Sequence, residues 1–214
     1  LSDSSRGLQS GQAAAGAPSG AAVADLPFKA SDAIGVLMAY SAKVRIDQIG
    51  SNDTTDTLTN GVSSRRNQLL MDISSELGVA SVDGAAEATL DKLAQIVNKA
   101  APNYKPFGAV LSEALRDRLR SLFGAAGVKQ QYIRDRVTNV WQLGEGWVAS
   151  VLATLLLDTR EGASSRGGDL AKLPTAAVQN KPEADKLIEK LMDSQKRMES
   201  LSTSEYEDLN FEVH

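Results

Sequence analysis

Residues 57–78 read TLTNGVSSRRNQLLMDISSELG, a turn that hands a serine to the start of an amphipathic helix. Asn60-Gly61 is a turn dipeptide, because both residue types tolerate left-handed backbone angles, and Ser63 and Ser64 behind it are of the type that caps helix N-termini. Beyond them Leu69, Leu70, Ile73 and Leu77 recur at helical spacing, and Gly78 supplies a C-terminal stop. The pattern predicts a helix with Ser63 or Ser64 exposed at its N-terminus.

Arg65 and Arg66 fall in the first turn of that helix. Free N–H groups already give this end a partial positive charge, so cations are disfavoured there by roughly 0.3 kcal/mol or more each. An anion would relieve the conflict. A phosphate esterified to the serine hydroxyl would meet N–H groups, the helix dipole and two guanidinium groups at one point. An ordinary capped helix with two solvated arginines is the other reading these residues allow.

The same stretch resembles the modification site of the acyl carrier domain of fungal and actinobacterial type I fatty acid synthases. Members of that family carry a Gly-x-Ser turn, a short polar segment, then Asn-Gln/Glu-hydrophobic-Leu-x-Asp-hydrophobic-x-x-Glu-hydrophobic-Gly. Here Gly61-Val62-Ser63, Asn67-Gln68-Leu69-Leu70-Met71-Asp72-Ile73 and Glu76-Leu77-Gly78 match. The resemblance implies that Ser63, in preference to its neighbour Ser64, carries a covalent 4′-phosphopantetheine, with Arg65 and Arg66 beside the phosphate. The Asp-Ser-Leu triplet of free-standing carrier proteins does not occur here, which points to the megasynthase branch.

Composition narrows the chemistry. With 214 residues, 42% hydrophobic and only 5% aromatic, the chain can build one large or two small helical cores. A net charge of −4 without a dense basic cluster argues against a nucleic-acid partner. There is no cysteine, and the single histidine is His214, the last residue. Disulfides, a Cys or His metal cage and a histidine-based triad are therefore not expected, so there are no candidate catalytic residues and no metal ligands. No apolar run reaches membrane-spanning length and no signal peptide is visible, so a cytoplasmic location is expected.

In chain order, residues 1–24 are rich in Ala, Gly and Ser and read as a flexible linker, which the resemblance would make a tether. A first bundle is expected over residues 25–101. It starts with a helix capped by Ser31 or Asp32 that carries Ile34, Leu37 and Met38, followed by a polar loop over residues 50–55 and then the serine helix. Its last helix is expected over residues 86–100, with Leu90, Leu93, Ile96 and Val97 on one face. The resemblance implies a partly hollow core able to shelter an acyl chain, lined by Leu37, Met38, Leu69, Leu70, Ile73, Leu90, Leu93 and Val97. Plain core burial is what such stripes ordinarily mean.

Pro102 and Pro106 mark a break, and residues 102–168 read as an additional helical subdomain with three apolar stripes. Trp141-Gln142-Leu143-Gly144-Glu145-Gly146 resembles a passage of the family's second subdomain. Glu145, Asp158 and Glu161 read as solvated loop carboxylates, and Arg116, Arg118, Arg120, Arg134 and Arg136 as a solvated helix face. Residues 169–214 read as linker, a charged helix over 183–201 that would need a partner or a second copy to pack on, and an acidic tail. The visible resemblance ends at Gly168.

The fold expected is all-α, an acyl-carrier-like helical bundle with an additional helical structural subdomain and flexible flanks. Its implied role is non-catalytic, holding acyl thioesters on the arm. The implied partners are the ketosynthase, ketoreductase, dehydratase, enoyl reductase, acyl/malonyl transacylase and phosphopantetheinyl transferase domains of one synthase, with neither nucleic acid nor membrane. A non-catalytic helical scaffold or interaction module is the alternative.

Overall fold

Helix α1, Ala30–Ala42, opens slightly earlier than either expected cap. Asp32 sits at its third position and accepts a hydrogen bond from the Lys29 N–H at 2.8 Å. Ser31 turns instead to Asn98, donating its N–H to Oδ1 at 2.9 Å and accepting from Nδ2 at 2.9 Å. The helix is apolar on nearly every side, with Ala33, Ile34, Leu37, Met38 and Ala39 at 1% exposure or less. A helix patterned in this way must be surrounded.

In this computed structural model, which describes residues 23–196, the regular elements around α1 are all helices, and no strand occurs among the described residues. A short turn at Ile46–Gln48 leads to the single-turn α2, Thr55–Leu58, and then to α3, Ser63–Leu77. Helix α4 is Leu90–Ala100, α5 is Ala109–Phe123 and α6 is Gln130–Asp135, continuing in a wider π turn over Arg136–Val140. Helix α7, Glu145–Asp158, is apolar all round like α1, and α8 covers residues 181–196. Helix α1 touches α3, α4, α5 and α7. Buried side chains from Ala30 to Met192 form one continuous apolar cluster.

Helix α4 begins at Leu90, later than the stripe suggested, because backbone groups ahead of it serve another loop. The Leu90 N–H donates to the Asp53 carbonyl at 2.8 Å, and the Ala86 carbonyl accepts from the Thr55 hydroxyl at 3.2 Å.

Three polar joints tie distant segments. The Glu76 side chain, 2% exposed, accepts hydrogen bonds from the Tyr104 hydroxyl at 2.6 Å, the Leu111 N–H at 2.7 Å and the Gly108 N–H. A side chain from the last turn of α3 thus caps the start of α5, where N–H groups have no intrahelical partner. The Arg160 guanidinium, buried at 9% exposure, donates to the carbonyls of Ala39 at 3.1 Å, Val44 at 2.7 Å and Leu157 at 2.9 Å. It satisfies the C-terminal end of α1, where a cation is favoured.

The third joint is at the start of α7. The Asp25 side chain accepts from the Gly146 N–H at 3.0 Å, and the Trp147 indole donates to the Ala24 carbonyl at 3.2 Å. A Cβ on Gly146 would lie 1.6 Å from the Leu26 carbonyl oxygen, so the close approach requires glycine. Gly146→Ala is expected to displace residues 24–26 from α7 and to cost about 1–3 kcal/mol. A lowered thermal midpoint with changed Trp147 fluorescence checks this, and an unchanged midpoint would refute it.

The C-terminal stretch departs from expectation. Residues 169–182, read as linker, follow a fixed path: the Lys172 and Leu173 N–H groups donate to the Asp158 carbonyl at 2.9 and 3.0 Å, and Val178 N–H to the Leu122 carbonyl at 3.0 Å. Helix α8 needs no second molecule, since Ala184, Leu187, Ile188, Leu191 and Met192 are buried on this chain. The Tyr132 hydroxyl donates to Asp185 at 2.6 Å, and Arg136 pairs with Asp185 and Glu189 at 3.5 and 3.9 Å. A stripe too thin to make a core alone is enough to complete one. The linker at 1–24, apart from Val23 and Ala24, the end of the charged helix beyond 196 and the acidic tail lie outside the described residues.

Candidate functional site

The turn ahead of α3 has the predicted backbone. Asn60 and Gly61 adopt φ of 53° and 71°, the Gly61 N–H donates to the Asp56 carbonyl at 3.0 Å, and the Val62 N–H to the Thr59 carbonyl at 3.0 Å. One expectation changes: Val62, not a serine, is the cap residue, and Ser63 is the first helical residue. No side chain caps this end and no acidic residue lies in its first turn. Because neither serine folds back on the backbone, the hydroxyls of Ser63 and Ser64 are both exposed.

The two arginines divide. Arg65 is exposed, whereas Arg66 is half-buried and pairs with Asp56 at 3.0 Å, beside the turn that precedes Ser63. The helix end therefore presents an exposed hydroxyl, uncapped N–H groups, one free-reaching guanidinium and a second held close by a carboxylate. That arrangement favours an anion at the hydroxyl. Val62 at the cap and Met71 on the helix itself are exposed, Met71 at 64%.

The apolar candidates separate by burial. Leu37, Met38, Leu69, Ile73, Leu93 and Val97 sit in the core at 2% exposure or less. Leu90 is half-buried and faces a groove of about 680 Å³ between the N-terminal segment, α1 and α7, lined also by Phe28, Val36, Ile49 and Leu157. Leu70 is half-buried and faces a groove of about 520 Å³ formed with residues 79–87.

Behind the serine turn lies an ion pair between segments far apart in sequence. Arg166 donates to both Asp53 carboxylate oxygens at 2.7 and 2.8 Å. The guanidinium holds the Asp53 carboxyl well below the usual carboxylate range against the opposing effect of burial, with help from the Gly50 N–H and the Thr57 hydroxyl. A depressed folded-state pKa means that the stabilisation is complete above about pH 4 and is lost as the pH falls below it. Thermal midpoints taken down to about pH 3 should fall less steeply in Asp53→Asn than in wild type; parallel curves would reject the assignment.

Several charged residues read as solvated are structural. Arg118 donates to the Thr159 hydroxyl at 2.8 Å and to the Thr175 carbonyl at 3.2 Å. Arg134 pairs with Glu145, which is exposed as expected but starts α7 instead of lying in a loop. Arg136 stands 5.2 Å from the Trp141 ring centroid and holds α8. Asp158 ends α7, and burial pushes its carboxyl above the ordinary range, partly countered by Lys172 and Arg160. Glu161, Arg116 and Arg120 are exposed as expected. Sequence reading missed Glu76, Asp53, Arg160 and Arg166 as tertiary partners. The only available signal was Glu76 itself, an acid on the apolar side of its helix, next to Ile73 and Leu77.

Among the described residues, no cluster of His, Cys, Asp and Glu could hold a metal ion, and no helix is long and apolar enough to cross a membrane. The model of the family described as fatty acid synthase subunit alpha, acyl carrier domain, matches residues 24–202. That match reaches past Gly168 and takes in α8. The chain is 31% identical over 149 residues to the fatty acid synthase subunit alpha of Schizosaccharomyces pombe, covering 70% of this chain and 8% of that protein. It is likewise 31% identical over 152 residues to the fatty acid synthase subunit alpha of Lachancea kluyveri, covering 69% of this chain and 8% of that protein. The chain thus spans a small fraction of the length of these relatives.

Proposed function

The chain belongs to the acyl carrier domain family of fatty acid synthase alpha subunits, and from that we propose that it holds growing acyl chains as thioesters on a 4′-phosphopantetheine arm esterified to Ser63. The observation that carries the reading is the exposed Ser63 hydroxyl on the first residue of an uncapped helix, beside Arg65 and Arg66. Those residues fit the group: the phosphodiester would find N–H donors, the positive helix end and guanidinium groups within one turn. When attached, the arm supplies the thiol that this cysteine-free chain lacks.

The protein's own part is to present the serine, to balance the phosphate charge and to offer a surface to its partners. Of the two arginines Arg65 is the freer to meet the phosphate, since Arg66 would first have to share its contact with Asp56. We assign shelter of the acyl chain to the wall formed by Leu37, Met38, Leu69, Leu70, Ile73, Leu90, Leu93 and Val97. Six of these are closely buried and would have to part to admit it, while Leu70 and Leu90 already face open grooves.

The partners proposed are the transacylase, ketosynthase, ketoreductase, dehydratase and enoyl reductase domains of one cytoplasmic type I synthase, and the phosphopantetheinyl transferase that loads it. Turnover would belong to those domains, with this chain a non-catalytic carrier. Covalent tethering raises the local concentration of acyl chain at each of them, so each docking contact can remain weak. The test is intact-protein mass spectrometry after incubation with coenzyme A and a broad-specificity phosphopantetheinyl transferase. One added arm per chain supports the reading. No added mass, with a cognate transferase domain also tried, would leave the helical scaffold as the better description.

A further inference from the structure

We propose that Arg166 is a positioning residue for the serine-bearing turn, acting through Asp53; the inference rests on the carrier reading of Ser63. Arg166 lies 113 residues from Asp53 in sequence and touches neither Ser63 nor its neighbours. Its reach runs through a sequence of short contacts.

The loop that carries Arg166 is itself held firmly. The Ser165 N–H and hydroxyl donate to the Lys43 and Ala42 carbonyls, each at 2.9 Å, which fixes the loop to the end of α1. Ala163 and Asp169 bridge its two sides, and Gln48 Nε2 donates to the Gly167 carbonyl at 2.9 Å. From this support Arg166 grips both Asp53 oxygens and donates to the Gln48 carbonyl at 2.8 Å.

Asp53 passes the constraint on. Its carboxylate accepts from the Thr57 hydroxyl and the Gly50 N–H, both at 2.8 Å, and the Thr57 hydroxyl in turn accepts from the Thr54 N–H at 2.8 Å. Thr54 closes the box by accepting from the Thr57 N–H at 3.2 Å, so the entry of α2 is set by Asp53. The exit of α2 sets the turn. The Asp56 carbonyl accepts from the Gly61 N–H at 3.0 Å, and its carboxylate holds Arg66 at 3.0 Å. One short helix thus stands between the guanidinium and the residue to be modified.

An isolated turn of helix is not stable alone, since nucleation costs more than one hydrogen bond returns. Helix α2 is four residues long and depends on both of its ends being held. Releasing Asp53 loosens the entry of α2, which the buried Thr55 and Leu58 still anchor from inside, and with it the place of Ser63 relative to anything that docks on α3. Small misplacements of a reacting group cost up to about a hundredfold in rate.

The experiment compares wild type, Arg166→Met, Arg166→Lys and Arg120→Ala as full chains. It measures initial rates of arm transfer from coenzyme A by the transferase, and amide hydrogen exchange at Gly61 and Val62. Arg166→Met is expected to lower kcat/KM about tenfold and to speed exchange at Gly61 and Val62, with exchange in α7 unchanged. Arg166→Lys should recover part of the rate, because an ammonium still neutralises Asp53 without gripping both oxygens. Arg120→Ala, which removes an exposed arginine paired only with Asp117, should match wild type. A wild-type transfer rate and wild-type exchange at the turn in Arg166→Met would overturn the proposal, even if its thermal midpoint fell. If wild type itself takes no arm, the carrier reading fails separately, and the exchange at Gly61 and Val62 still decides whether Arg166 positions the turn.

Discussion

Ser63→Ala is expected to abolish arm loading completely while leaving the fold and the thermal midpoint almost unchanged. The two halves of that result have separate causes. On the proposed reading, loading needs a hydroxyl at the first residue of α3, and alanine has none. Stability does not need it, because Val62 is the cap residue and no side chain caps this helix end. A capping serine would cost about 1 kcal/mol on removal; here the loss should be a few tenths or about zero, since alanine is the better helix former. Ser64→Ala should load as wild type does, because Ser64 is one step further round the helix. The two variants together separate site from fold. Loading that persists in Ser63→Ala and disappears in Ser64→Ala would move the site by one residue, and loading lost in neither would remove it from this turn.

Glu76→Ala is expected to be the most destabilising single change outside the apolar core. It leaves the N–H groups of Gly108 and Leu111 and the Tyr104 hydroxyl without their acceptor in a place where water has little access. Each stranded donor costs about 1–3 kcal/mol and the three are not additive, so a loss of about 3–5 kcal/mol is expected. Glu76→Gln keeps one acceptor oxygen and should lose about half as much.

Gly108→Ala tests the same joint from its other side. Its Cβ would stand 1.9 Å from the Glu76 carbonyl oxygen and 2.8 Å from Oε2, so α5 would have to move away from α3. Chemical denaturation of the three variants reads the joint directly. Removing Glu76 should also ease ionisation of Tyr104, whose pKa is held far above its usual value by burial and by Glu76, so in Glu76→Ala that pKa should fall. An unfolding free energy for Glu76→Ala within about 0.5 kcal/mol of wild type would show that the joint carries no weight.

Much of this was legible in advance because it depends on local chemistry. The helical character of α1, α3, α5 and α7 follows from apolar spacing, and the backbone of the serine turn from Asn60-Gly61. The exposed hydroxyl follows from its place at the helix start. Errors arose where side chains were judged by the company they keep in sequence. Arg118 and Arg136 alternate with acids, which is the signature of a solvated face, yet both reach across to segments that arrive more than 40 residues later. The Ser, Gly and Pro content of residues 162–182 describes a chain with little to bury. Such a chain can still be held by its backbone, as the bonds to Asp158 and Leu122 show.

What the sequence by itself determined is helix against strand, the turn, the exposed place of a serine at the helix start and the family, because each is written in residues within one or two turns of one another. What only the tertiary structure decided is which charges are buried, where Glu76, Arg160 and Arg166 find their acceptors and donors, and that α8 completes the core of its own chain. The physical reason is the range of the interactions. Propensity and periodicity act along the backbone, whereas a guanidinium or carboxylate is satisfied by whichever polar group the packed helices bring within about 3 Å of it.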